Sequence, residues 1–207
     1  MDKIEKSLSE MPIISVLRGI KPEEAVDVGR ALLDAGIGIM EVTMNSPSPL
    51  ESIRLLKEHY GDEAVIGAGT VMNAEQVDQI ADLGGEIIVT PNINAAVIKR
   101  ALDRGLAMFP GFLTPSEASA ACDLGARHLK LFPAGVYGLD YIKAIQAVLP
   151  KDVRIYAVGG VGSHNAKQWF DAGVNGLGIG TEIYRAGLDA KTVGSNAKAV
   201  AEVIRAL

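Results

Sequence analysis

Regularly spaced helix-ending residues are the feature that most restricts what this chain can fold into. Short runs of β-branched apolar residues alternate with longer amphipathic stretches, and most runs follow a glycine placed where a helix would end. Successive positions of this kind are 25, 23, 21, 20, 25 and 23 residues apart, and they are Gly36, Gly61, Gly84, Gly105, Gly125, Pro150 and Gly173. Each interval has the length of one βα unit, so the spacing predicts a chain built from repeated strand–helix units.

Counting the apolar runs predicts eight strands, at residues 12–18, 37–43, 64–70, 86–90, 106–110, 127–132, 153–158 and 174–179. Helix starts follow most of them, marked by Pro22, Pro47, Asn73, Asn94, Thr114, Ser163 and Asp189. An open doubly wound sheet would share the alternation. Such sheets usually have about five or six strands and a dinucleotide fingerprint after the first strand, which this sequence lacks. We therefore predict an α/β fold, a (β/α)8 TIM barrel, with residues 1–207 forming a single domain.

The composition limits the partners of this chain. Its 207 residues carry a net charge of -5 with Lys and Arg scattered singly, which argues against a nucleic-acid or membrane surface. Residues 1–11 lack the apolar stretch of an export signal, and no run of about 18 apolar residues indicates a membrane span. The one cysteine, Cys122, excludes an intramolecular disulfide. We predict a cytoplasmic protein with a small-molecule partner, without nucleic acid, membrane or cofactor.

Four polar residues interrupt strands that should be apolar throughout. A strand of a closed parallel barrel is buried on both faces, so charged residues there need a reason. Arg18, Glu41, Thr70 and Lys130 all fall toward the carboxyl ends of predicted strands. That rim holds the active site in essentially every characterised barrel enzyme, so we expect these side chains to form a site.

Lys130 and Glu41 together suggest Schiff-base chemistry. Burial disfavours the charged form of a lysine, which turns its amine into a nucleophile for a keto carbon. Glu41 can then move protons, while Arg18 and Thr70 can hold an anionic substrate group. The alternative is that Lys130, Glu41 and Arg18 form only a structural ion network, since such networks also bury charge.

A metal-dependent reaction is the less favoured prediction. It would need a cluster of histidines and carboxylates, and the three histidines are His59, His128 and His164, two of which we expect on helices. His128 either faces the site or is a core histidine that bonds to a neighbour. We predict no metal and assign His128 no role.

Two glycine turns follow the last two predicted strands. Gly159 and Gly160 come after the seventh, and Gly180 and Thr181 close the eighth. Phosphate binds at this place in many barrels, because turns without side chains expose backbone amides. Glycine also serves turns that bind nothing, since it adopts positive φ without strain. The pair of turns predicts a phosphate site.

Seven segments carry a resemblance to a known family. They are residues 16–20 (VLRGI), 41–47 (EVTMNSP), 67–71 (GAGTV), 89–92 (VTPN), 129–134 (LKLFPA), 157–161 (AVGGV) and 178–181 (GIGT). The chain resembles the 2-keto-3-deoxy-6-phosphogluconate and 6-phosphogalactonate aldolase family over residues 11–185. The resemblance implies a metal-independent class I aldolase that forms pyruvate and D-glyceraldehyde 3-phosphate. It also implies a homotrimer.

The same resemblance implies residue roles. Lys130 corresponds to the Schiff-base lysine and Glu41 to the proton carrier, while Pro91 and Phe132 lie in the matching segments and are expected to contact substrate. The fourth residue after the glutamate is an arginine in the phosphogluconate branch and holds the pyruvate carboxylate there. Here it is Asn45, which we also expect to contact substrate, with Arg18 and Thr70 as the replacements that hold the carboxylate.

Three segments of the sequence indicate which branch of this family the chain resembles. Residues 41–47, 137–138 and 141–145 are similar to the phosphogalactonate branch. The sequence therefore favours a phosphorylated 2-keto-3-deoxygalactonate as substrate. The 6-phosphogluconate epimer, or 4-hydroxy-2-oxoglutarate, is the alternative. A phosphate-binding barrel of another class, such as an isomerase, is a more remote one.

Overall fold

The computed structural model describes residues 3–207. Its strands are β1 Ile13–Leu17, β2 Ile39–Thr43, β3 Val65–Gly69, β4 Ile87–Val89, β5 Ala107–Phe109, β6 Gly111–Phe112, β7 His128–Leu131, β8 Arg154–Val158 and β9 Gly176–Ile179. They form one sheet in the order β5-β4-β3-β2-β1-β9-β8-β7-β6, and every pairing is parallel. Each predicted strand has a counterpart in this sheet.

The two ends of the sheet meet at Pro110. β5 pairs with β4 and β6 pairs with β7, and only Pro110 separates β5 from β6. Proline has no backbone N–H, which interrupts the ladder at that residue. Its carbonyl still accepts a hydrogen bond from Lys130 N at 2.9 Å. β5 is thus the predicted fifth strand, and β6 continues it past the predicted end at Pro110. The (β/α)8 barrel prediction is confirmed.

Helices follow the strands around the outside of the barrel. They are α1 Lys3–Glu10, α2 Pro22–Asp34, α3 Pro49–Tyr60, α4 Ala74–Asp82, α5 Ala95–Asp103, α6 Pro115–Asp123, α7 Ala134–Tyr137, α8 Leu139–Gln146, α9 Ala166–Ala172 and α10 Ala190–Arg205. Within residues 3–207, none is long and apolar enough to cross a membrane.

Side-chain caps explain where four of the helices start. Asn73, Asn94, Thr114 and Asp189 each accept a hydrogen bond from a backbone N–H of the first turn, as predicted. Thr114 completes a capping box with Glu117.

Two predicted helix starts were wrong by two or three residues. α3 begins at Pro49 after Ser48, not at Pro47, because a second proline fits the first turn equally well. α9 begins at Ala166 after Asn165, not at Ser163. The side chain of Ser163 is bonded to Glu182 instead of capping the helix.

Helix α1 was not predicted, and it closes the amino-terminal end of the barrel. Ile4 and Leu8, one turn apart on α1, are buried against a cluster inside the barrel that contains Ile14, Phe109 and Tyr156. The remaining core lies between the strands and the outer helices. With its lower end filled, the barrel is left with its carboxyl-terminal rim as the open face.

Candidate active site

Lys130 and Glu41 come from β7 and β2 and face the centre of the barrel. Lys130 is 6% exposed and Glu41 is 2% exposed. Both line a small cavity, together with Val89, Phe109, Tyr156 and Val158. Apart from the Tyr156 hydroxyl those four neighbours are apolar, so this part of the site holds two ionisable groups in surroundings that solvate charge poorly.

Burial shifts the acid–base behaviour of both groups. Desolvation lowers the pKa of the Lys130 amine from its ordinary value, and Arg18 lowers it further while Glu41 opposes the shift. Desolvation raises the pKa of the Glu41 carboxyl, against the attraction of Lys130 and Arg18. Each residue is therefore pushed toward its neutral form, which for lysine is the nucleophile.

Glu41 also has an oxygen that no protein group satisfies. Its Oε2 is buried and has no hydrogen-bond partner among the described residues. A Cβ at Gly69, the last residue of β3, would lie 2.7 Å from the Glu41 carboxyl carbon. The glycine thus makes room for the carboxylate. A purely structural network would be expected to satisfy its buried oxygens, so this geometry favours a functional role for Glu41.

Arg18, Asn45 and Thr70 meet at the rim above this pair. Arg18 donates from Nη1 to Asn45 Oδ1 at 2.8 Å and from Nη2 to Thr70 Oγ1 at 3.3 Å. The guanidinium therefore has a fixed position on the open side of the barrel. The positive charge of Arg18 also lowers the pKa of both Lys130 and Glu41.

Thr70 is held in a strained conformation. Its φ is +57°, in the left-handed region that a β-branched residue rarely adopts. Such strain costs on the order of 1–3 kcal/mol and is concentrated at functional sites. The turn after β3 thus supports the expectation that Thr70 contacts a ligand.

Ser46 connects two loops of the rim, and the sequence did not single it out as a site residue. Its buried hydroxyl lies 3.0 Å from Thr43 Oγ1 and accepts a hydrogen bond from Gly19 N at 2.9 Å. It thereby joins the loop that follows Arg18 to the loop that carries Asn45. The signal available was its place in segment 41–47, which carries the family resemblance.

Phe132 and Pro91 lie on the same rim. Lys130 Nζ is 4.9 Å from the centre of the Phe132 ring, within cation–π range. Pro91 follows β4, and a Cβ at Gly111 would lie 2.5 Å from its carbonyl carbon. Pro91 therefore sits beside β6, next to the strand of Lys130.

The two glycine turns are neighbours because β8 and β9 pair. Gly159 and Gly160 have φ of +89° and +76°, so the fold itself requires glycine there. Gly180 has no positive φ, and a Cβ on it would make ordinary contact with Val16 at 3.5 Å. Neither the backbone conformation nor the packing therefore requires a glycine at position 180. Thr181, the next residue, is exposed.

The three histidines do not form a cluster. His59 lies in α3 as expected, whereas His164 lies in the turn before α9, not on a helix as predicted. His128 is a core histidine: Nδ1 lies 2.9 Å from the Tyr156 hydroxyl and the ring packs against Phe109 at 4.8 Å. Within residues 3–207, no three His, Cys, Asp or Glu side chains form a group that could hold a metal ion.

The family model and the more similar known proteins agree on one family. The model of the family described as KDPG and KHG aldolase matches residues 4–199. The 2-dehydro-3-deoxy-6-phosphogalactonate aldolase of Escherichia coli (strain K12) is 45% identical over 95% of this chain and 96% of its own. The 2-dehydro-3-deoxy-phosphogluconate aldolase of Zymomonas mobilis is 33% identical over 83% of this chain and 81% of its own. A solved structure described as native KDPGal superimposes with a TM-score of 0.93 at 45% identity, over 95% of this chain and 96% of that one.

Proposed function

This chain belongs to the KDPG and KHG aldolase family, and on that premise we propose that it cleaves 2-dehydro-3-deoxy-6-phosphogalactonate to pyruvate and D-glyceraldehyde 3-phosphate. The protein is an aldolase, which makes it a carbon–carbon lyase. The reaction would be a step of galactonate breakdown. The observation that carries the proposal is the burial of the Lys130 amine in one cavity with Glu41, toward the open end of the barrel.

Lys130 is the Schiff-base residue in this proposal. Its neutral amine attacks the C2 keto carbon of the substrate, and the carbinolamine loses water to give an iminium ion. The bond between C3 and C4 then breaks, and its electron pair moves toward the iminium nitrogen. This step leaves an enamine of pyruvate on Lys130 and releases the aldehyde. Protonation of the enamine and hydrolysis free pyruvate and restore the amine.

Glu41 moves the protons that these steps require. Its carboxylate accepts the proton of the C4 hydroxyl as the aldehyde forms, and the carboxylic acid returns a proton to the enamine carbon. The unpaired Oε2 and the raised pKa suit a group that works in both forms. One buried carboxyl group can therefore serve both half-reactions.

The rim residues bind the substrate around this pair. We assign the pyruvate carboxylate to Arg18 and Thr70, with Asn45 orienting the guanidinium through the bond between Nη1 and Oδ1. Phe132 and Pro91 form the apolar sides of the site. The distal phosphate is assigned to Gly159, Gly160, Gly180 and Thr181, where adjacent turns present backbone groups.

The wider setting is part of the same proposal. We infer a homotrimer in the cytoplasm, with the sugar acid, pyruvate and glyceraldehyde 3-phosphate as its small molecules and no nucleic-acid or membrane partner. Several large apolar side chains are exposed, Val136 and Val148 most of all, which is compatible with contacts between copies of the chain.

Reductive trapping tests the role of Lys130. Borohydride added with pyruvate should fix a stable adduct on Lys130 of the wild-type protein, located by peptide mass spectrometry. Lys130→Met should lose the adduct and lower turnover by at least about 10³-fold, as removal of a nucleophile usually does. Lys143→Met, which removes an exposed lysine of α8, should keep both. An undiminished adduct in Lys130→Met, or loss of wild-type activity on adding chelator, contradicts the assignment.

A further inference from the structure

Glu182 connects the two turns to which the phosphate is assigned. It lies in the segment that follows Gly180 and Thr181, yet its carboxylate bonds to the turn after β8. Oε2 accepts a hydrogen bond from Ser163 N at 2.9 Å, and Oε1 accepts one from the Ser163 hydroxyl. One side chain of the β9 turn therefore holds the backbone and the side chain of one residue of the β8 turn.

The absence of a side chain at Gly162 leaves the space that the Glu182 carboxylate occupies. A Cβ at Gly162 would lie 1.9 Å from Glu182 Oε2, closer than any side chain could tolerate. Its φ is not positive, so the backbone conformation does not demand glycine. The missing side chain at Gly162 is what lets the carboxylate reach Ser163.

Asn165 holds the same turn from its other end. Its Oδ1 accepts a hydrogen bond from Gly162 N at 3.0 Å, and its Nδ2 donates to Gly160 O at 2.9 Å. The segment from Gly160 to Ser163 is thus fixed at both ends, internally by Asn165 and to the neighbouring turn by Glu182. Of these two side chains, only Glu182 joins the two turns to each other.

The charge of Glu182 argues against a direct contact with the ligand. A carboxylate repels a phosphate group, and both of its oxygens already accept hydrogen bonds from Ser163. Any benefit to phosphate binding must therefore act through the position of the turns. The same reasoning predicts that a neutral group of the same shape would serve at least as well.

We propose that Glu182 is a positioning residue that sets the spacing of the two glycine turns and thereby the affinity for the substrate phosphate. The inference rests on the proposed function, because it assumes that these turns bind phosphate. It assigns to Glu182 a role in discriminating phosphorylated from unphosphorylated substrate and none in the chemistry at Lys130.

Steady-state kinetics of Glu182→Ala test the proposal. The KM for 2-dehydro-3-deoxy-6-phosphogalactonate should rise about tenfold, the scale of one lost charge-assisted hydrogen bond. The kinetics with 2-dehydro-3-deoxygalactonate, which lacks the phosphate, should stay within about twofold. Glu182→Gln can accept from Ser163 N and donate to the Ser163 hydroxyl, so it should restore KM to the wild-type value or below. Ser163→Ala, which removes only the hydroxyl, should also raise KM for the phosphorylated substrate, by a smaller factor.

A matched control separates the contact from the charge. Glu202→Ala removes an exposed carboxylate of α10 with the same change in net charge, and it should leave both substrates unaffected. An equal rise in KM for both substrates in Glu182→Ala would reduce Glu182 to a residue of the fold, and unchanged kinetics with both substrates would deny it any role. Failure of Glu182→Gln to rescue also overturns the proposal. If the wild-type protein itself does not prefer the phosphorylated substrate, then the assignment of the turns to phosphate has failed.

Discussion

Glu41, to which we assign proton transfer, shows how burial changes the acid–base behaviour of a single residue. Its raised pKa means that the folded protein gives up this proton less readily than the unfolded chain does. The contribution of Glu41 to stability is therefore complete below its ordinary pKa and is lost as the pH rises through the folded-state pKa. At neutral pH the buried Glu41 therefore lowers the stability of the protein, as we expect of the proposed proton carrier.

Glu41→Gln should separate these two effects. Exchange of the methyl protons of pyruvate with solvent deuterium, followed by NMR, should slow by roughly 10²-fold or more, because the amide cannot take up the proton. The exchange rate of the wild-type protein should rise with pH through a pKa above the ordinary glutamate value, and the variant should lack this rise. The free energy of unfolding at pH 7 should be equal to or greater than that of the wild type.

The comparison variant for this measurement is Glu75→Gln. It neutralises an exposed carboxylate in the first turn of α4 and should exchange protons at the wild-type rate. Adduct formation with pyruvate and borohydride should persist in Glu41→Gln, because the amine of Lys130 remains. Exchange within a few fold of the wild-type rate would remove Glu41 from the proton-transfer step.

Single residues were predictable from the sequence when they broke a local rule. Lys130 and Glu41 stood out because both faces of a barrel strand are expected to be apolar. Ser46 and Glu182 broke no rule, since polar residues are ordinary in loops. Their contacts join turns that lie 27 and 19 residues apart in the sequence, and no local pattern reports such a distance.

Among the loop elements, the turn after β9 offers the cleanest test of the phosphate assignment. At Gly160 any side chain would be strained by the positive φ and would lie 3.2 Å from Gly135 Cα, so a substitution there would disturb the fold and the ligand together. Gly180 has neither obstacle, since its added methyl group meets only Val16 at an ordinary 3.5 Å.

Gly180→Ala should therefore weaken substrate binding without weakening the fold. The added methyl group narrows the space over the turn, so the KM for the phosphorylated substrate should rise severalfold. The midpoint of chemical unfolding should stay or increase, because alanine restricts the unfolded chain by up to about 1 kcal/mol more than glycine does. An unchanged KM would place the phosphate elsewhere, and an equal rise for the unphosphorylated substrate would make the turn part of the general entrance.

The order of elements could be predicted because glycine ends helices in a way that is visible locally. Six glycines and Pro150 marked the βα units, and the bounds of the strands then differed by only one or two residues. The break in the fifth strand at Pro110 and the lower plug formed by α1 were not predicted. Both depend on contacts across the barrel, and α1 buries only Ile4 and Leu8 of its eight residues, too short a pattern to stand out. That residues 1–207 form a single domain stays a prediction.

At the scale of the whole molecule, closure of the barrel brings together residues that are far apart in the sequence. Arg18 follows β1, Glu41 lies in β2, Lys130 lies in β7, and the glycine turns follow β8 and β9. The parallel order of the strands delivers all of these to the same rim, and α1 fills the opposite end. In the proposed assignment, different strands supply the chemistry at Lys130 and the recognition of the rest of the substrate, so specificity can change while the reaction stays the same.

The preference between two epimers is a property of that assembled rim. The candidate substrates, 2-dehydro-3-deoxy-6-phosphogalactonate and its gluconate epimer, differ only in the configuration of the C4 hydroxyl. A site that hydrogen-bonds this hydroxyl can reject the wrong epimer by several kcal/mol, whereas a site that leaves it in water hardly discriminates. Because Asn45 stands in place of an arginine, the carboxylate of the substrate is assigned to Arg18. Binding of the carboxylate at Arg18 and of C2 at Lys130 would determine where the C4 hydroxyl lies in the site.

We therefore expect kcat/KM, measured side by side with the two epimers, to favour the galactonate form by at least about tenfold, which corresponds to about 1.4 kcal/mol in the transition state. Arg18→Lys should lower kcat/KM for both epimers, because one ammonium nitrogen cannot replace the two separate guanidinium nitrogens that bond to Asn45 and Thr70 or offer a carboxylate a bidentate contact. Trapping of pyruvate on Lys130 should remain measurable in that variant. A preference for the gluconate epimer would overturn the substrate assignment and leave the aldolase chemistry in place, because the C4 configuration does not alter the keto group that Lys130 attacks.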